Sequence, residues 1–189
     1  RLLSLTVNST PATDNGNGTV SGGGNAIIFG GGADMFVRTI GNIGGAININ
    51  ADSLFGSNMT FDTRVPGNTS ANIVFVGTIN STGGTPRDLT LLNQGFVDLQ
   101  NQIGNLGGTS RLRNILSDAT FNANNGSIRI QDSTNVTGSI ILNDGPNTVT
   151  LGDGGPAGEP VLINAPAGFI VTGANVIIAD DVTIDATAA

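Results

Sequence analysis

The chain has 189 residues, with seven Arg, 13 Asp, one Glu and no Lys, and a formal net charge of −7. It has no His, Cys, Trp or Tyr, and Gly, Asn, Thr and Ser dominate what remains. These absences exclude nucleophile–His–acid triads, Cys or His metal sites, Schiff-base chemistry and phosphate loops that need Lys.

The acidic balance repels phosphate backbones, so nucleic acid is not an expected partner. No apolar run approaches the roughly 20 residues that span a bilayer, so membrane insertion is not expected either. Without Cys there are no disulfides, a trait of many secreted bacterial repeat proteins. With 38% apolar and only 11% charged residues, the chain can bury a core.

In chain order, Leu3, Leu5 and Val7 alternate with polar residues and predict a first strand. Turns follow at Asn15-Gly16 and Asn17-Gly18, then an apolar cluster at Ala26–Phe29. Period-two alternation predicts strands over Ala46–Asn50, Asn58–Asp62, Asn72–Val76, Leu89–Leu92 and Phe96–Leu99. Gly83-Gly84 and Gly107-Gly108 mark turns between them. Arg111–Asp118, preceded by a Ser110 cap, is the one stretch that reads as helix. Beyond Asn125-Gly126, strands are predicted at Ser127–Gln131, Ser139–Leu142, Thr148–Leu151 and Pro160–Ile163, then at Gly168–Val171, Val176–Ile178 and Val182–Asp185. Asp144-Gly145 and Gly154-Gly155 are further turns.

Strands recurring every roughly 8–12 residues suit a sandwich, a barrel or a β-solenoid. Internal similarity favours the solenoid. At an offset of 110, Arg1-Leu2 meets Arg111-Leu112 and Asn15-Gly16 meets Asn125-Gly126. At an offset of 117, Gly56–Phe61 meets Gly173–Ile178. The chain thus reads as one solenoid domain over 1–189, with about one and a half copies of a long repeat (1–110, then a partial 111–189).

The segment Asn80-Ser81-Thr82-Gly83-Gly84-Thr85-Pro86-Arg87-Asp88-Leu89-Thr90-Leu91 is echoed by Gly104-Asn105-Leu106-Gly107-Gly108-Thr109-Ser110-Arg111-Leu112. These phrases, with the opening Arg1-Leu2-Leu3-Ser4-Leu5-Thr6-Val7-Asn8, resemble the large secreted bacterial proteins of the filamentous-haemagglutinin type. The resemblance implies an all-β, right-handed parallel β-helix exported by two-partner secretion or as an autotransporter passenger. It implies service as an adhesin, fibre or matrix component at the cell surface. That family's secretion domain and anchoring barrel are not found in these residues, and a start at Arg1 is expected to reflect processing or excision from a longer protein.

A coil cannot bury its apolar face alone, and no amphipathic capping helix is legible at either end. The ends are therefore expected to continue, covalently or against copies of the same chain, with host or surface glycans as the other partner class. The alternative fold is a β-sandwich completed by donor-strand exchange, with Leu3, Leu5 and Val7 as the donor strand.

Candidate chemistry is sparse. Asp180-Asp181 with Asp185, and Asp144 with Asp153, are the acidic pairs a polysaccharide-cleaving β-helix would use. Asp in Gly- and Asn-rich turns is also ordinary turn chemistry, and no Trp or Tyr is present to stack on sugars. A structural, non-enzymatic role is the expectation. The turns carrying Asp144 and Asp153 offer carboxylate and carbonyl oxygens suited to calcium, the one cofactor they admit. Sequons stand at Asn8, Asn17, Asn58, Asn68, Asn80, Asn125 and Asn135. Phe61, Phe75 and Phe121 fall in apolar alternation and read as core.

Overall fold

A computed structural model describes residues 5–8, 12–14, 20–22, 27–39, 45–64, 71–93, 95–104, 109–119, 127–154 and 160–187. The strands run β1 (Leu5–Asn8), β2 (Ala12–Asp14), β3 (Val20–Gly22), β4 (Ile27–Phe29), β5 (Met35–Arg38), β6 (Ile47–Asn50), β7 (Ser53–Phe55), β8 (Met59–Asp62), β9 (Ile73–Phe75), β10 (Ile79–Ser81) and β11 (Leu89–Leu92). They continue as β12 (Phe96–Leu99), β13 (Ile115–Asp118), β14 (Ser127–Ile130), β15 (Thr134–Asn135), β16 (Ser139–Asn143), β17 (Thr148–Leu151), β18 (Val161–Asn164), β19 (Gly168–Thr172), β20 (Asn175–Ile178) and β21 (Val182–Asp185).

Successive circuits of the chain lay their strands on three faces. The first face is β1-β6-β9-β12-β14-β17-β20, and the third is β19-β16-β13-β11-β8-β5. The second consists of β10-β7-β4 and β15-β18-β21, joined through single bridges from Ile79 to Ile103 and from Ile103 to Thr134. All these pairings are parallel, so the fold is a β-solenoid. The antiparallel pair among the described residues is β2–β3, which interrupts the first circuit. A donor-strand sandwich would be antiparallel throughout. That alternative is set aside, and β1 pairs in parallel with β6 of its own chain.

The helix expected over Arg111–Asp118 is also corrected. Ile115–Asp118 is β13, paired on both sides by β11 and β16, and Leu112 bridges Val136. Ile115 and Ser117 point inward while Leu116 is exposed, a period of two that the neighbouring strands impose over local helix propensity. The phrases matched at an offset of 117 fall on different faces, in β8 and β20. The register repeats instead with each circuit, a much shorter unit that runs from Ile128 to its partner Val149.

Alternation makes these strands because every second side chain enters the interior. Ile47, Ile73, Val97, Ile128 and Val149 form one inward column in unbroken register, all fully buried. At one level the core is aromatic. Phe61 and Phe75 meet edge to face at 5.3 Å, and Phe55 and Phe29 pack around them at 5.9–6.4 Å. Phe61 and Phe75 are thus core as expected, and Phe121 lies outside the described residues.

A second set of contacts runs up the outside at the corner before the third face. The Asn58 Nδ2 donates to Asp34 Oδ1 (2.9 Å), and the Asp88 N–H donates to Asn58 Oδ1 (3.0 Å). Asn114 Nδ2 donates to Asp88 Oδ1 (2.9 Å), and the Ser139 N–H donates to Asn114 Oδ1 (2.9 Å). Successive circuits are tied in this way from Asp34 up to Ser139. Arg113 pairs with Asp88 and, with Asn114, holds its carboxyl below the usual range. Gly138 lets Asn114 reach its partner, since a Cβ there would lie 2.3 Å from Asn114 Oδ1. The same device recurs at Asn72, which accepts the Phe96 N–H at 3.0 Å across Gly95.

Two outcomes are expected in urea unfolding. Phe61→Ala should cost about 3–5 kcal/mol, as for a large core cavity. Asn114→Ala, which orphans the Ser139 N–H and removes a donor from Asp88, should cost about 1–2 kcal/mol.

Candidate functional site

The acidic residues singled out in the sequence are dispersed by the fold. Asp144 follows β16 and Asp153 follows β17, so they lie at opposite ends of β17 and form no shared site. Asp153 is instead brought to Asp180, whose Oδ2 accepts the Asp153 N–H at 2.7 Å and the Gly154 N–H at 3.2 Å. Asp180 therefore braces a turn of the preceding circuit. Asp181 is exposed just before β21. Asp185 is fully exposed, and hydrogen bonds from the Thr187 side chain (2.6 Å) and backbone (3.0 Å) hold its carboxyl below the usual range. No cluster of three or more acidic metal-binding side chains occurs among the described residues.

The sequons are divided likewise. Asn8 is exposed and accepts from Asn50 Nδ2 at 2.9 Å on the adjacent circuit. Asn58 belongs to the corner ladder, and the Oδ1 of half-buried Asn80 has no hydrogen-bond partner. Asn135 is buried in β15. Asn17, Asn68 and Asn125 lie outside the described residues.

Asp144 is the chemically unusual carboxylate. The turn from the third face to the first places Thr39, Thr63, Asn93, Ala119 and Asp144 one above another, each N–H bonded to the circuit above, and all are fully buried. The first three close the corner. Thr39 Oγ1 donates to the Gly45 carbonyl, Thr63 Oγ1 to that of Ala71 (2.8 Å) and Asn93 Nδ2 to that of Gly95 (2.8 Å). At Asp144 no hydrogen bond of ordinary geometry reaches either carboxylate oxygen. Burial pushes its carboxyl up to about 6, against a smaller opposing pull from the Asn147 side chain and the Ile128 backbone.

The ends of the solenoid carry a feature the alternation alone did not reveal. Val176 stands over Val149, Ile178 over Leu151, and Ile184 over Ile163, and those three partners are buried. Val176, Ile178 and Ile184 are 51%, 53% and 47% exposed because no further circuit covers them among the described residues. At the other end Leu5, Val7, Ile27, Phe29 and Val37 are half-buried, and Met35 is exposed. The signal for this was the continuation of inward columns into strands without caps. The outer strands β19, β20 and β21, like β1, β4 and β5, each pair on one side within their sheets.

No family model, curated protein or solved structure matches this chain. The geometry alone therefore carries the functional reading.

Asp144 sets a pH dependence. Its carboxyl titrates near 6 when folded and near about 3.9 when unfolded. Between those values the folded state holds the extra proton, so stability falls as pH rises from about 4 to about 6 and stays lower above. Asp144→Asn should be more stable than the wild type by about 1–3 kcal/mol at pH 8, and the difference should vanish near pH 4 in paired urea titrations.

Proposed function

We propose that this chain is a non-enzymatic structural rod, a segment of an extracellular surface fibre or adhesin whose circuits stack end to end with further copies of itself. The observation that carries this reading is the uncovered inward column at Val176, Ile178 and Ile184. Those side chains continue buried columns, and among the described residues strands β20 and β21 have a strand neighbour on one side only. Unpaired edges and exposed apolar ladders together form a template for another parallel strand. The opposite end offers Leu5, Val7, Ile27 and Phe29 on strands that, among the described residues, likewise pair on one side only.

The exterior fits a passive role. Outward positions are small and polar along β6 and β17, and the acids gathered in the sequence serve turns and ladders. A rod built this way resists bending because successive circuits are held by parallel sheets and by side-chain ties at the corners.

Sedimentation velocity and negative-stain microscopy test it. At roughly 100 μM, enough to populate even a weak contact, the wild type should form elongated species. The double variant Val176→Asp, Ile178→Asp should remain a monomer with an unchanged far-ultraviolet circular dichroism spectrum. A wild type that stays a discrete monomer throughout that range overturns the stacking.

A further inference from the structure

The outer face of the seven-stranded sheet is indented between β12 and β14. Here Phe96 stands opposite Ser127, and Asp98 stands opposite Arg129. These four residues line a pocket of about 240 Å³. Phe96 is 37% exposed, and Ser127 is too small to cover its ring. Asp98 is only 8% exposed, held by Gln100 Nε2 on one oxygen (2.7 Å) and Gln131 Nε2 on the other (2.6 Å). Arg129 is the cross-strand neighbour of Asp98, yet it makes no ion pair or hydrogen bond among the described residues.

The pocket therefore gathers an open aromatic face, a guanidinium fork with free donors and a fixed carboxylate with lone pairs to spare. Asp98 and Arg129 cancel in charge, and the chain's net charge of −7 disfavours an anion. A cation would meet Arg129. What remains complementary is a neutral molecule with one apolar face and several hydroxyls. The volume lies below that of drug-sized pockets, about 300–1,000 Å³, and suits one sugar ring of a longer chain.

We propose that this notch binds a neutral pyranose unit of a polysaccharide. The C–H face of the ring rests on Phe96. Adjacent hydroxyls accept from the Arg129 fork, and one hydroxyl donates to Asp98. Gln100 and Gln131 hold the carboxylate in place and act as positioning residues. The site goes beyond the rod reading and stands whether or not the ends stack.

Retention of the purified chain on immobilised dextran, mannan and laminarin, with polygalacturonate as the anionic probe, tests the proposal. The wild type should be retarded by at least one neutral polymer. Phe96→Ala and Arg129→Gln should each weaken that retention at least tenfold, with melting temperature unchanged because both side chains are exposed. Should Phe96→Ala fail to fold, Arg129→Gln carries the test. No retention on any neutral polymer, retention on polygalacturonate alone, or retention unaffected by Arg129→Gln overturns it. Sedimentation scores the rod separately, so either reading can fail without the other.

Discussion

Everything in this molecule depends on the parallel register between one circuit and the next. Parallel pairing puts like positions over like, so an inward residue always meets an inward residue. A shift of one residue would turn each apolar column outward. The corner ties oppose that shift directly. Asn72 and Asn114 each accept a backbone N–H from the circuit above, and a Cβ at Gly95 or Gly138 would crowd that approach. Asp52 does the same for the N–H of Thr78 at 2.9 Å. Register is thus fixed twice, by hydrophobic burial within and by polar hydrogen bonds at the corners.

The core is not uniform along the axis. Four phenylalanines concentrate at the level of β4, β7, β8 and β9, while the later circuits are filled mainly by Ile, Val and Leu, with Phe169 packed against them. Polar side chains enter the interior at Ser53, Ser81, Ser117 and Thr134, and the column containing Asp144 is the extreme case. Thr63 and Asn93 close that corner with hydrogen bonds to carbonyls just beyond the turn, whereas Asp144 carries a charge into the same setting without equivalent partners. The desolvated carboxylate is a local weakness in the scaffold.

Much of the fold is legible because period-two alternation is a direct record of an inside and an outside. Long strands such as β6, β14 and β16 announce themselves in that way. The short strands of the second face do not. β7 and β10 are three residues each and turn Ser53 and Ser81 inward, so there is no apolar alternation to see. The segment ending in Asp118 misleads for the opposite reason, since Leu112, Ile115 and Leu116 mimic a helical face until β11 and β16 impose extension. The acids are legible as turn formers, but proximity between Asp153 and Asp180 is a product of stacking and has no trace in spacing. The notch at Phe96 is invisible in the sequence because its parts come from strands on successive circuits, which only the pairing of Asp98 with Arg129 brings side by side.

The unequal length of the circuits has its own consequence. One circuit takes the chain only from Ile128 to Val149, whereas the first needs all of the chain from Leu5 to Ile47, with the β2–β3 hairpin between. The extra chain leaves at a corner and returns to an unchanged register. Insertions at corners are therefore thermodynamically cheap, because closing a longer loop adds little entropy cost. The scaffold can diversify its outline, segment by segment, while the interior that confers stability stays the same.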